Sequence, residues 1–564
     1  MNNLKPTIMI RKPIRISAAV VFAAALSLWT GCGSECRPEA EPAPRIVNII
    51  NFVRDIEPRP VGISADDLYE ATFQEAELLR QHNLPGTFLL QYDAVIDPRY
   101  QQLMKEGLSE GSEIGAWWEI TQPHVEAAGI EWRGIYPWDW HADVGFASGY
   151  TPEEREKLVD AYMAKFKEVF GYYPASVGSW FIDAHTLAYM ADRYGIVASC
   201  NCRDQIGTDG YTLWGGYWNQ AYYPSRLNAY MPAQGAEGQI AVPVFRMLGS
   251  DPINQYDSGL GASVQGVETL EPVYTAGGGC PRWVDTHFRT ITDGPCLAFQ
   301  YTQVGQENSF AWPRIGPGLE YQVRAVDSLV RAGKATVQTL AESGRWFKDH
   351  FTVTPATAVT ALEDPKSAGR KSVWFDSRFY RANLLQCGER FGFRDIHLFD
   401  ERFESDYLRR PGTSTQCFYT TLPLVDGFNW STATDTAGLY LVAVDAEGRI
   451  GAVRTGAPEV VETAPGELTV SVPILDGGRC EIVFTEDAVR IGLPENAGYR
   501  FALSVAPDKK LPFVAVGPDR ISARFREFDY RVECTRGGID GSQPGYVCFV
   551  PDAAGRLALD MSVR

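Results

Sequence analysis

Acidic side chains recur at one kind of place in this sequence, just after short apolar runs. Arg54, Asp55 and Glu57 follow the run 46–53, and Asp93 follows 86–92. Glu119 ends the segment from Ser112, and Asp183 ends Gly178-Ser179-Trp180-Phe181-Ile182. Arg203 and Asp204 follow 196–202, and Glu307 follows 296–303. A carboxylic acid facing a carboxylate can hydrolyse a glycosidic bond. One donates a proton to the leaving oxygen while the other attacks or activates water. Aromatics accompany the acids: five of the 14 tryptophans lie between Trp117 and Trp140. The flat face of an indole matches the C–H face of a pyranose. Asp183, Glu307 and Glu119 are therefore the candidate catalytic acids, with Asp139 in reserve. Trp117, Trp118, Trp138 and Trp140 are candidate sugar platforms, and Asp139 and His141 are candidates to hold hydroxyls. A second aromatic stretch with amides adds Asp204, Trp214, Trp218 and Tyr222 as candidate substrate contacts. Each has a plainer alternative: an aromatic core for the tryptophans, and a helix cap before Ala184 for Asp183.

Such acids converge only if the runs before them are strands of one sheet. Residues 46–53 are nearly continuously apolar and β-branched, as in a strand covered on both faces. A helix is expected over 66–81, opened by Ser64 and Asp67 as a capping box. Thr151 and Glu154 open another over 152–170. Strands and helices go on alternating to about residue 351, with about seven strands. Repeated β–α units imply a parallel sheet. Neither a G-x-G-x-x-G after the first strand nor a phosphate-binding loop motif is present, so a barrel is favoured over a dinucleotide fold. In a parallel barrel the active site lies at the C-terminal ends of the strands. From residue 352 the pattern becomes short alternating strands with turn residues, which predicts an antiparallel β domain, sandwich-like. The expected fold class is α/β: a (β/α)7-type barrel over 45–351, followed by a β-rich domain over 352–564.

A chain of 564 residues needs more than one ordinary core. The net charge of −18 argues against nucleic acid as a partner and suits neutral substrates. Lys5, Arg11, Lys12 and Arg15 precede an apolar stretch, 16–29, too short for a comfortable membrane span. Cys32 follows Thr30-Gly31, and residues 32–44 read as a polar tether. Cys200-Asn201-Cys202 reads as core rather than zinc site. Cys534 and Cys548 are the best local candidates for a disulfide, and His185 for a structural hydrogen bond.

Residues 1–31 with Cys32 resemble a bacterial lipoprotein signal, although Trp29 stands where that family usually has Leu. The resemblance implies lipidation of Cys32 and a membrane partner through the lipid, at the bacterial cell envelope. The order of elements, with Asn83-Leu84-Pro85-Gly86-Thr87-Phe88 and Glu113-Ile114-Gly115, resembles the polysaccharide deacetylase barrel superfamily, which is similar to glycoside hydrolase families 57 and 38. Zinc deacetylases need an Asp and an H-x-x-x-H pair. Here no two of the seven histidines are four apart, Ser112 replaces a family His, and Leu68 follows Asp66-Asp67 where the family has Gly. No metal or other cofactor is therefore expected. By the strand order of family 57, Asp183 would be the nucleophile and Glu307 the general acid, with the two acid types swapped relative to that family. The expectation is a metal-independent glycoside hydrolase acting on an oligo- or polysaccharide. The alternatives are a glycan-binding lipoprotein on a decayed barrel and a divergent deacetylase.

Overall fold

The computed structural model describes residues 42–56, 62–445, 447–542 and 547–562. The signal stretch 1–31, Cys32 with most of the tether, and Glu57 lie outside the described residues.

Seven parallel strands make the barrel: Arg45–Val53, Thr87–Leu90, Glu113–Trp117, Ser176–Gly178, Ala198–Asn201, Val244–Arg246 and Gln300–Val304. The first six pair in chain order, and the seventh pairs with the first. Some strands are shorter than their apolar runs, as Ala198–Asn201 is within 196–202. Alternate residues enter two separate buried clusters. Ile46, Ile50 and Phe52 join Leu89, Trp117, Cys200 and Phe245 in one. Val47, Ile49 and Val53 join Phe88, Leu90 and Val304 in the other, with the helices. This period of two on a continuously apolar strand is what burial on both faces produces.

The sixth and seventh strands are not paired with each other. Side-chain amides bridge the gap: Tyr301 N donates to Gln220 Oε1 at 2.8 Å, and Leu248 N donates to Gln303 Oε1 at 2.7 Å. The barrel is nearly closed.

The helices start where their caps dictate. Ser64 and Asp67 form the expected capping box on Ala65–His82, with Asp67 N donating to Ser64 Oγ at 3.2 Å and Ser64 N to Asp67 Oδ2 at 2.8 Å. Thr151 and Glu154 do the same for Pro152–Phe170. His185 Nε2 lies 3.1 Å from Glu156 Oε1, a structural hydrogen bond as expected.

After helix Leu340–His350 the chain forms antiparallel sheets of ten and eight strands. Phe375 of the larger sheet stacks on Phe484 of the smaller at 5.1 Å, joining them as a sandwich. Cys534 and Cys548 fall on strands of different sheets, and the Cys534 thiol donates to Arg536 O at 3.1 Å instead of bridging.

The sandwich half is built into the barrel. Strand Cys417–Thr420 pairs in parallel with Tyr211–Trp214, which lies in the loop after the fifth barrel strand. Gly215, next in that loop, has φ +85°, and a Cβ there would stand 2.2 Å from Thr421 and 2.3 Å from His397. Only glycine allows this approach. Ala43–Arg564 accordingly forms one compact unit.

Candidate functional site

At the C-terminal ends of the barrel strands lies a cavity of about 310 Å³. Trp180 reaches it from the fourth strand end, and Cys202 and Arg203 from the fifth. The hairpin Gln205–Thr208 and Tyr211–Trp214 brings Asp209 and Tyr211. The long loop 247–280 brings Glu271 and Tyr274, and the seventh strand end brings Glu307, Ser309 and Phe310. Its size and mixed aromatic and charged walls are those of a small-molecule site.

Glu307 is placed by a glycine. Gly305 has φ +110°, and a Cβ there would stand 2.0 Å from Ile50 O, so the chain can press against the first strand as it turns. Behind Glu307 stands Arg54, whose guanidinium holds two carboxylates at once. Its Nη1 lies 2.5 Å from Glu307 Oε2. Its Nε and Nη2 form a fork on Glu119 at 2.8 and 2.5 Å. Gln91 Nε2 and Trp180 Nε1 each donate to Glu119 at 2.9 Å. Glu119 therefore has no oxygen left for a substrate, and its side chain is 0% exposed. Its contacts are those of an anchor for Arg54, and it is absent from the cavity wall.

Glu271 was not foreseen. Thr269 Oγ1 donates to its Oε2 at 2.8 Å. Burial pushes its carboxyl above the ordinary value of 4.5, although Arg203 pulls the other way. The sequence carried one usable signal: 247–280 is a long stretch without periodic structure between strand and helix, and such loops are usually functional.

Asp183, the expected nucleophile, does not line the cavity. It caps helix Ala184–Tyr194, accepting from Thr186 N at 2.9 Å and Thr186 Oγ1 at 2.6 Å, and it is ion-paired with Arg155 at 2.9 Å. The cap and the ion pair, both fully buried, occupy both of its carboxylate oxygens.

Most of the expected platforms are core. Trp117 stacks on Phe52 at 4.4 Å and meets the edge of Trp180 at 5.1 Å inside the barrel. Trp118 packs outside the sheet against His124 and Tyr162. Trp138 is buried with the Arg54 guanidinium 4.7 Å above its ring. Asp139 ties its own loop together, accepting from His141 Nδ1 at 2.6 Å and Ile135 N at 3.0 Å. Trp140 and His141 are partly exposed and stack at 5.3 Å, and Trp140 also stacks on Tyr136 at 6.1 Å.

The second aromatic set is a joint between barrel and sandwich. Trp218 stacks on Trp374 at 3.8 Å, and Trp214 Nε1 donates to Asp426 Oδ2 at 3.0 Å. The Tyr222 hydroxyl donates to Ala229 O at 2.7 Å within the barrel core. Asp204 accepts from Tyr230 OH at 2.5 Å and Gly215 N at 2.9 Å, and it is ion-paired with Arg246 at 2.7 Å and with Arg381 of the larger sheet. None of these four reaches the cavity, because each is held by interior partners.

No group of three or more His, Cys, Asp or Glu is arranged to hold a metal among the described residues. Asp66 and Asp67 head a helix, with Asp67 in the capping box. Glu113 accepts from Ser176 Oγ at 2.6 Å and Ala341 N at 2.8 Å at the opposite end of its strand. These residues do not fit a deacetylase zinc site. Cys200 and Cys202 are both buried, and burial pushes the Cys202 thiol up to about 12.

Two further acids stand at the first and second strand ends. Burial, with the negative charge of Asp55 nearby, pushes Asp93 up to about 7, and burial and Asp97 push Asp55 to about 6. Above pH 4 the folded chain thus holds a proton on Asp93 that the unfolded chain has released, so stability falls as pH rises toward 7. Asp93→Asn should raise Tm at pH 8 and leave it unchanged or lower at pH 4. Equal shifts at both pH values in a thermal melt would refute this.

No family model and no curated protein matches the chain. Among solved structures, the chain is similar to a proposed glycoside hydrolase/deacetylase from Parabacteroides distasonis, with 15% identity over 68% of this chain and 92% of that one and a TM-score of 0.47. It is similar to a proposed polysaccharide deacetylase from Mycobacterium smegmatis, with 15% identity over 53% and 94% and a TM-score of 0.31. It is also similar to a GH57 branching enzyme from Thermococcus kodakaraensis, with 10% identity over 55% and 71% and a TM-score of 0.29.

Proposed function

We propose that the protein is a carbohydrate-active enzyme that hydrolyses glycosidic bonds with two carboxylates, Glu271 and Glu307. One observation carries this: the two groups line the same cavity in opposite electrostatic settings. Glu271 is buried, which pushes its carboxyl above the ordinary value of 4.5. Glu307 is ion-paired with Arg54. Environments that drive two acids apart assign their roles. Glu271 donates the proton to the leaving oxygen. Glu307 attacks the anomeric carbon or activates water. The rings of Trp180, Tyr211, Tyr274 and Phe310 give the sugar its apolar walls.

The test is release of new reducing ends from a panel of oligo- and polysaccharides, followed by chromatography. Product formed by the wild type and lost in Glu307→Gln supports the reading. Binding without product in every case would leave a glycan-binding protein and overturn it.

The proposal extends to location. The basic start, the apolar stretch and Cys32 support a lipid-anchored protein of a bacterial cell envelope. Cys32→Ala should abolish labelling by a fatty-acid probe and move the protein out of the membrane fraction. Unchanged labelling in that variant would refute lipidation at this residue.

A further inference from the structure

Five arginines are among the largest fully buried side chains: Arg54, Arg155, Arg203, Arg246 and Arg381. Four of them have carboxylate partners, namely Glu119 and Glu307, Asp183, Asp204, and Asp204 with Asp395. Arg203 differs. It is 2% exposed, yet among the described residues no carboxylate lies within 4.0 Å of its guanidinium. Its Nη1 donates to Asp204 O at 2.7 Å, and its Nε has no hydrogen-bond partner. Removing a charge from water without a counter-charge is costly, and interiors rarely tolerate it. This guanidinium lines the cavity that holds Glu271 and Glu307.

We propose that Arg203 receives an anionic group of the saccharide, a uronic-acid carboxylate or a sulfate ester, so that the cavity selects acidic over neutral sugars. The inference rests on the saccharide reading above. The planar fork of Arg suits either oxyanion. Glu271 shares the cavity but stands beyond ion-pairing distance of Arg203, and burial pushes its carboxyl above the ordinary value. Asp209 shares the cavity but stands beyond ion-pairing distance of Arg203. Docking has a second effect. Arg203 is the main influence pulling the Glu271 carboxyl down. An anion seated on Arg203 offsets that pull and keeps the proton on Glu271 for the leaving group.

The test is calorimetric titration of the full chain with three oligosaccharide series of matched length: oligogalacturonates, sulfated galactans and neutral glucans. At least one acidic series should bind about tenfold more tightly than the neutral one, the range of one charged hydrogen-bonded contact. That preference should shrink with added sodium chloride, vanish in Arg203→Gln and survive in part in Arg203→Lys. Which acidic series wins identifies the anion. Neutral sugars bound as tightly as acidic ones, or a preference that persists in a folded Arg203→Gln, would overturn the inference. Should that variant fail to fold, the salt dependence of the wild type decides. Acidic sugars bound but never cleaved uphold this inference and overturn hydrolysis. Neutral sugars cleaved without acidic preference do the reverse, and no binding to any series overturns both.

Discussion

Glu271→Gln should lower kcat on unactivated glycosides by about two to four orders of magnitude, the contribution of one positioned general acid. The effect should depend on the leaving group. A nitrophenyl glycoside leaves as a stabilised phenolate and needs little protonation, so its kcat should fall much less. The pH profile supplies an independent reading. Glu271 works while protonated, and burial holds its carboxyl above 4.5. Activity of the wild type should therefore decline as pH rises through that elevated value. The Gln variant, which has nothing to titrate there, should lose this limb. Glu307→Gln should be poor on both classes of substrate, since it removes the group that meets the sugar rather than the leaving group. If Glu271→Gln keeps the basic limb and full activity on unactivated substrates, Glu271 is not the acid.

Asp204→Ala should cost about 3–5 kcal/mol of stability, the usual penalty for breaking a buried ion pair from one side. Burial alone would raise this carboxyl, but Arg381 and Arg246 hold it below its ordinary value. The loss of Asp204 leaves Arg246 without its ion-pair partner and Arg381 with Asp395 alone, both guanidiniums out of water. Because domains are stable by only about 5–15 kcal/mol, this is a large share. Urea denaturation at pH 7 would show it as a lower midpoint. The sign with pH follows: the stabilisation by Asp204 is present above its unfolded value near 3.8 and is lost as pH falls through the lower folded value. Adding Arg246→Met, which removes the guanidinium left without an ion-pair partner, should recover part of the loss. A single variant with the wild-type midpoint would show that the joint does not depend on this charge.

Strand order and helix starts were open to a reader of the sequence because they rest on local periodicity and capping. Ser64 with Asp67, and Thr151 with Glu154, act over three residues, and the alternation in 45–53 acts over two. The site was much less legible. A strand-end position says where a side chain starts, not what it meets. Asp183, Glu119 and Asp204 all stand at strand ends, yet each faces an arginine brought from elsewhere in the chain. Those pairings join residues 28, 65 and 177 positions apart. The tryptophans misled for a related reason. The same ring that can carry a sugar is also the best filler for a wide barrel, as Trp117 shows against Phe52. Glu271 was hidden because its loop has neither periodicity nor a motif.

The parallel pairing of Cys417–Thr420 with Tyr211–Trp214 bears on how the protein is made. Tyr211 is part of the cavity wall, and its strand waits for a partner about two hundred residues further along. During synthesis the seven barrel strands can emerge and pair while that wall still lacks its neighbour. Contacts so distant in sequence are slow to form, because the intervening chain must first be ordered. A nascent chain stopped after the last barrel helix would thus carry Glu271 and Glu307 on an unfinished pocket. The wall that Tyr211 supplies to this cavity is therefore completed only when the sandwich begins to fold.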